Sequence, residues 1–239
     1  MYSLMSEPLF QGKEYYYCLM KFLAAAWLLF ATTSLYAKDI RIAALSKNVF
    51  VYTTYHTYQD MLIATNGTYL VTREGVVLID TPWDTADFQA LLDTIKHRHR
   101  KKVVLCIATH FHADRTAGLE YYTAKGIPTY TSFFTDSLSK LHGEKRAAYH
   151  FRGDTTFIVG GQPIKTYYPG KGHAPDNIVV WYPEEKILHG GCFVKSSEAT
   201  DLGNLSDADV KEWEQSTAKV IRKFKDAKYV IAGHQDWRG

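Results

Sequence analysis

The chain has 239 residues, of which 46% are hydrophobic and 22% charged, and its formal net charge is +3. That composition supplies apolar material for one sizeable core and excludes a disordered or strongly polyionic chain. The basic residues are scattered. The densest run, His97 to Lys102, has no aromatic side chains among its charges and reads as a solvated helix end, which argues against a nucleic-acid partner.

In chain order, the first signal is a leader. Lys21 precedes an apolar run from Phe22 to Tyr36, closed by the small residue Ala37. The run is too short to span a bilayer comfortably. We expect residues 20–37 to be a signal peptide, with translation starting at Met20 and residues 1–19 an upstream extension from a mis-assigned start. Residues 38–239 then form a single exported domain with no stable membrane insertion; an uncleaved anchor is the alternative. Of the cysteines Cys18, Cys106 and Cys192, only the last two lie in the mature chain, too few for a disulfide framework. They could pair with each other, but Cys106 lies in an apolar strand-like run and reads better as a buried inert thiol.

Four strands come next: Ile40 to Ala44, Val49 to Tyr58, Thr68 to Thr72 and Val76 to Asp80, with Asn66-Gly67 and Glu74-Gly75 as turn signals. Thr81-Pro82-Trp83-Asp84 resembles a helix start with Thr81 as cap, and Phe88, Leu91, Leu92 and Ile95 recur at helical spacing. A buried strand from Val103 to Ala108 runs into Thr109-His110. A short helix from Leu119 to Lys125, a strand near Thr129 and a helix from Phe133 to Leu141 follow. Strands then recur at Thr155 to Val159, Ile164 to Tyr168, Ile178 to Tyr182 and Lys186 to His189. A helix beginning at Ser206, with core face Val210, Trp213, Val220, Ile221 and Phe224, precedes a last strand, Tyr229 to Ala232. Strands followed by helices occur twice, so the expected class is α/β: a four-layer αβ/βα sandwich of two mostly antiparallel or mixed sheets with helices outside.

The chemistry concentrates at strand ends. His110-Phe111-His112-Ala113-Asp114 directly follows a buried strand, and two imidazoles and a carboxylate at alternate positions can converge on a metal ion. A polar turn is the competing reading of this segment taken alone. His173 in a Gly-rich turn, Cys192 after Gly190-Gly191, and His234 after Gly233 also follow apolar strands, so one edge of the sandwich could gather all six. Each of those three has an ordinary explanation by itself: a solvated histidine, or a packed cysteine.

The blocks Thr109 to Arg115, Gly172-His173, Gly190 to Lys195 and Gly233-His234 resemble the class B metallo-β-lactamases, subclass B1, over nearly the whole mature chain. Arg115 and Cys192 mark that branch. Other hydrolases of the superfamily, thioesterases and lactonases among them, have a histidine and a bridging aspartate there. The resemblance implies two zinc ions, one on His110, His112 and His173 and the other on Asp114, Cys192 and His234. It implies periplasmic hydrolysis of the amide bond of β-lactams (penicillins, cephalosporins and carbapenems) by metal-bound hydroxide, with Asp114 also catalytic. Lys195 would bind the substrate carboxylate and Asn204 the lactam carbonyl, although a surface lysine and a turn asparagine are the plain alternatives. Asp80 could orient a ligand or pair with Arg115, or simply start a helix-capping turn. Thr54 to Ile63 would form a flap over the cleft, or a hairpin whose aromatics pack locally. His56, His97, His99, His142, His150 and His189 read as surface or structural residues. The partner is a small-molecule β-lactam and the protein a monomer. The chain stops at Gly239, where the family usually adds a helix, so a C-terminal helix is expected to be missing. A zinc thioesterase or lactonase, and a truncated zinc-binding protein of reduced activity, are the alternatives.

Overall fold

A computed structural model of the chain describes residues 40–238. The expected leader, the upstream extension, Cys18 and Gly239 lie outside them.

The first sheet runs in sequence order: β1 (Arg41–Ala44), β2 (Val49–Tyr58), β3 (Met61–Val71), β4 (Val76–Ile79), β5 (Val103–Ile107), β6 (Thr129–Ser132) and β7 (Tyr149–Phe151). It is antiparallel from β1 to β4 and parallel from β4 to β7. The second sheet is ordered β12-β11-β10-β9-β8, built from β8 (Thr156–Val159), β9 (Gln162–Tyr167), β10 (Val179–Tyr182), β11 (Ile187–Gly191) and β12 (Tyr229–Ala232). All its pairs are antiparallel except β11 with β12. The helices are α1 (Thr85–His99), the single turn α2 (Ala113–Thr116), α3 (Leu119–Ala124), α4 (Phe133–His142) and α5 (Val210–Lys223).

Strand alternation builds three apolar layers. On β2, Val49 and Val51 face inward to meet Val180, Tyr182, Ile187 and Ile231 of the second sheet. Phe50 and Tyr52 point the other way, onto Phe88, Leu91 and Ile95 of α1 and Tyr122 of α3. The far face of the second sheet, with Val179, Trp181 and Leu188, is covered by Trp213 and Val220 of α5 and by Phe224 at its end. This is the expected four-layer αβ/βα sandwich.

Some local expectations are corrected. Asn66-Gly67 is no turn but lies inside β3, which is longer than its apolar stretch suggested. The Asn66 side-chain amide donates to the carbonyls of Ala232 (3.1 Å) and Gln235 (2.9 Å), which compensates for an asparagine in a strand. Gly67 leaves room for the Tyr52 ring, whose oxygen would sit 2.2 Å from a Cβ there. The reversal instead falls at Gln59-Asp60, whose φ values of 48° and 61° fit a two-residue hairpin turn. Next to that turn Tyr58, Met61 and Leu62 are exposed. Further back on β2, His56 pairs with Asp84 and stacks on Trp83, fastening the hairpin to the start of α1.

Two helix starts differ from expectation. Asp84, not Thr81, precedes α1. The Thr81 hydroxyl instead donates to the Arg115 carbonyl (3.1 Å) and accepts from the Gly118 N–H (2.9 Å). Asp209, not Ser206, caps α5 by accepting from the Glu212 N–H. On α5, Trp213, Ser216 and Val220 form the buried stripe, while Val210 and Ile221 are exposed: Ile221 is one step off the stripe and Val210 lies in the open first turn. Strand β7 and the turn α2 were missed because each is shorter than a periodicity can reveal. Cys106 and Cys192 are both free thiols, so they do not pair.

Candidate metal centre

The six residues singled out from the sequence meet at one end of the sandwich. His110 follows β5; His112 immediately precedes α2 and Asp114 lies in it; His173 sits in the loop after β9; Cys192 and His234 leave the ends of β11 and β12. The two sheets are joined at this point. Thr65 of β3 bridges to His234, the Asn66 N–H donates to the Gly233 carbonyl (2.8 Å), and the Gly233 N–H donates to the Gly191 carbonyl (2.8 Å). Gly233 is required for that approach, since a Cβ would fall 2.6 Å from the Cys192 backbone nitrogen.

The donor atoms face one another. His112 Nδ1 lies 3.0 Å from His110 Nε2 and 3.2 Å from His173 Nε2. Cys192 Sγ lies 3.2 Å from both Asp114 Oδ2 and His234 Nε2, and Asp114 Oδ2 lies 3.1 Å from His234 Nε2. The atoms of Asp114, Cys192 and His234 lie within 4.8 Å of one another, as do those of His110, His112 and Asp114 and those of His110, His173 and Cys192.

In a neutral imidazole, the outer partner fixes which nitrogen carries the proton. His112 Nε2 donates to Asp207 Oδ2 (3.1 Å), so its inner Nδ1 keeps a lone pair. His234 Nδ1 donates to the Ala64 carbonyl (3.1 Å), so its Nε2 lone pair points at the Asp114 carboxylate. Lone pair facing lone pair is unfavourable unless a cation sits between them, and imidazole, thiolate and carboxylate are the donor types zinc takes. The donor set therefore fits a metal ion.

The electrostatics agree. Burial, reinforced by neighbouring His112, holds His110 well below the usual imidazole range. Burial together with nearby Lys195 and His112 brings His173 down to about 3. Both are thus uncharged imidazoles at neutral pH, the form a metal ion binds. Burial opposes the Asp114 charge, but neighbouring Arg115 outweighs it, with smaller help from nearby His234 and His110, and keeps the carboxyl well below its normal range. Burial also raises the Cys192 thiol, against Arg115; a coordinated divalent cation would reverse that balance.

Arg115 is the hub of this half of the site. Its guanidinium, 1% exposed, reaches Cys192 Sγ (3.0 and 3.2 Å), Asp114 Oδ2 (2.9 Å), the Asn66 and Gly233 carbonyls (2.7 and 2.8 Å) and Asp80 Oδ2 (3.5 Å). Burial disfavours its charge, but Cys192, Asp114 and Asp80 together raise its pKa further. Asp80 accepts from the Thr109 N–H (2.8 Å) and also faces His189, which is buried and not at the surface.

Lys195 lies with its ammonium 5.3 Å from the centre of the Trp213 ring, close enough for its charge to act on His173 and Cys192. Burial lowers its own pKa. Asn204 is exposed and its side-chain oxygen accepts from the Ser206 N–H (3.0 Å), the turn role the sequence left open. Asp207 and His189 were missed as functional residues. A carboxylate three residues past Asn204 carried no motif, and His189 stood in an apolar strand without a visible partner.

Comparison with known proteins agrees with this geometry. Residues 62–234 match the family model described as the metallo-beta-lactamase superfamily. The chain is 46% identical over 200 residues to a protein named metallo-beta-lactamase type 2 from Elizabethkingia meningoseptica, covering 84% of this chain and 80% of the relative. It is 37% identical over 195 residues to one of the same name from Bacillus cereus, covering 82% and 76%. The crystal structure of metallo-beta-lactamase IND-7 superposes with a TM-score of 0.82 at 38% identity, covering 85% of this chain and 94% of that one. The chain therefore belongs to the metallo-β-lactamase superfamily, a family of metal-dependent enzymes. Within it, the chain falls among the B1-type metallo-β-lactamases.

Proposed function

We propose that the protein hydrolyses the amide bond of β-lactam antibiotics (penicillins, cephalosporins and carbapenems) with two zinc ions. His110, His112 and His173 would hold one ion, and Asp114, Cys192 and His234 the other. When bound, zinc supplies Lewis acidity toward the lactam carbonyl and the departing nitrogen, together with a water ionised near neutral pH. The observation that carries the reading is the inward turn of unprotonated nitrogens, fixed from outside by Asp207 and the Ala64 carbonyl.

The chain's own residues do the rest. Asp114, kept ionised by Arg115, can accept a hydrogen bond from the attacking water and hold its orientation. Four metal charges against one carboxylate and one thiolate leave the centre cationic, and Lys195 adds to that field, so an anionic substrate is drawn in by its carboxylate. Asn204 stands on the loop beside Lys195, where Gly203 approaches the lysine ammonium, and is our candidate for the lactam carbonyl. Asp80 and Arg115 hold the ligands of the second ion in place. The β2–β3 hairpin offers Tyr58, Met61 and Leu62 to the hydrophobic part of a substrate.

We place the mature protein, residues 38 onward, in the periplasm as a monomer after removal of residues 20–37. Among the described residues no helix is long and apolar enough to cross a membrane. The deciding experiment is hydrolysis of a carbapenem and a cephalosporin by zinc-loaded protein, with and without chelator, beside a lactone and a glutathione thioester. Chelator-sensitive turnover of the β-lactams alone is expected. Turnover confined to the thioester or lactone, or none at all, overturns the proposal.

A further inference from the structure

His189 lies on β11 with its side chain on the same face as Ile187, inside the apolar layer between the two sheets. It is 0% exposed, as is Asp80 opposite it. A fully buried imidazole among valines and isoleucines costs free energy unless its polar atoms are paired. His189 Nε2 lies 2.9 Å from Asp80 Oδ2, while Nδ1 is buried with no partner. A proton on Nδ1 would be a buried donor with nothing to accept it, so the proton sits on Nε2 and is donated to Asp80.

Asp80 Oδ2 is contested. Arg115 Nη1 stands 3.5 Å from it, against 2.9 Å for His189. The histidine thus holds the good bond, and the guanidinium is left turned toward Cys192 and Asp114, at 3.0 and 2.9 Å. Asp80 itself is held at a φ of 65°, a left-handed backbone that few residues other than glycine adopt. Its other oxygen, fixed by the Thr109 N–H at 2.8 Å, prevents the carboxylate from rotating away.

We propose that His189 is a positioning residue for the second metal ion: by occupying Asp80 Oδ2 it keeps Arg115 engaged with Cys192 and Asp114. Removing its donor frees that oxygen, and Arg115 slides toward Asp80. The Cys192 thiolate and Asp114 carboxylate then lose their shared cation and their fixed spacing. The set His110, His112 and His173 takes no hydrogen bond from His189, Asp80 or Arg115; it meets this chain of bonds through Asp114, whose Oδ1 lies 3.9 Å from His110 Nε2, and should keep most of its affinity. The inference rests on the two-ion reading above.

The test is cobalt(II) titration of the full chain, followed through the thiolate-to-cobalt charge-transfer absorption, which reports Cys192, and the ligand-field bands, which report both ions. His189→Met matches the reach of the imidazole without a donor; His189→Gln restores an N–H at similar length. In His189→Met the charge-transfer band should require about tenfold more cobalt while the other ion binds as in the wild type, and His189→Gln should recover most of the loss. A merely structural histidine would lower thermal stability and weaken both ions alike, or neither, and either outcome overturns the proposal. Equal cobalt affinities in His189→Met and His189→Gln overturn it too. His189→Phe, a ring without nitrogens, repeats the comparison should the methionine variant not fold. Wild-type protein that binds a single ion refutes the two-ion reading, and this inference falls with it.

Discussion

Asp207 offers a direct test of how the centre is organised. Its carboxylate is 32% exposed and accepts from His112 Nε2 at 3.1 Å. That bond keeps the His112 proton on the outer nitrogen, so Nδ1 is free for metal. A hydrogen bond to a charged group contributes about 1.5–3 kcal/mol. Partial exposure reduces this toward the lower end, and about 1.4 kcal/mol corresponds to a tenfold change in affinity. Asp207→Ala should therefore weaken the ion at His110, His112 and His173 by about tenfold, leave the ion at Cys192 nearly untouched, and leave the fold intact, because the residue lies in an outer loop. Asp207→Asn, which can still accept through its amide oxygen, should lose less. The assay is competition against a chromogenic chelator, with zinc-dependent turnover as a second readout. Unchanged affinity in Asp207→Ala would show that the His112 tautomer is set elsewhere, and the lone-pair argument would lose its principal support.

Other outcomes follow from the packing. Arg115→Ala should leave the Asp80 and Asp114 carboxylates without their buried cation, destabilising the metal-free protein by about 3–5 kcal/mol in denaturant unfolding; a loss below 1 kcal/mol would contradict the hub. Gly67→Ala places a methyl against the Tyr52 ring, 2.2 Å from its oxygen, and should cost about 1–3 kcal/mol in the same measurement. Metal removal should lower the thermal midpoint, and re-addition of zinc should restore it in a concentration-dependent way; a midpoint indifferent to zinc speaks against the site. Burial raises Asp176 from an ordinary carboxyl to about 6, outweighing nearby Thr135 and backbone N–H groups. Between about pH 4 and 6 the unfolded chain gives up this proton while the folded chain retains it, so stability falls as pH rises through that window, by on the order of 2–3 kcal/mol. Asp176→Asn in metal-free protein should remove that slope; a slope identical to the wild type would refute the assignment.

Much of this molecule could be read from its residues. Val49 to Tyr58 declares a strand by composition, and its alternation sorts Val51 from Tyr52 into different layers. The candidate metal ligands were legible because they stand at or shortly after the ends of apolar strands, where packing calls for no polar donor. What escaped was whatever depends on a distant partner. Asn66-Gly67 spells a turn locally, yet Ala232, Gln235 and Tyr52 hold it in a strand. Thr81 spells a cap, yet the Arg115 carbonyl and the Gly118 N–H claim its hydroxyl. His189 is silent in sequence because its meaning lies in Asp80, 109 positions away. Asp207 is silent for the same reason, since His112 is 95 positions distant.

The stitching of β3 to the last strand at Thr65 and His234 has a kinetic consequence. The donor atoms are contributed by both sheets and by loops that meet only when those sheets dock, and contacts between residues so far apart in the chain form late. Neither sheet alone carries the full set proposed for either ion: His173 reaches His110 and His112 from the second sheet, and Asp114 reaches Cys192 and His234 from the first. The uptake of the second ion should thus trail the collapse of the core and coincide with sheet docking. The thiolate–metal absorption would then serve as a clock for the last step of folding, legible in a stopped-flow trace without any label.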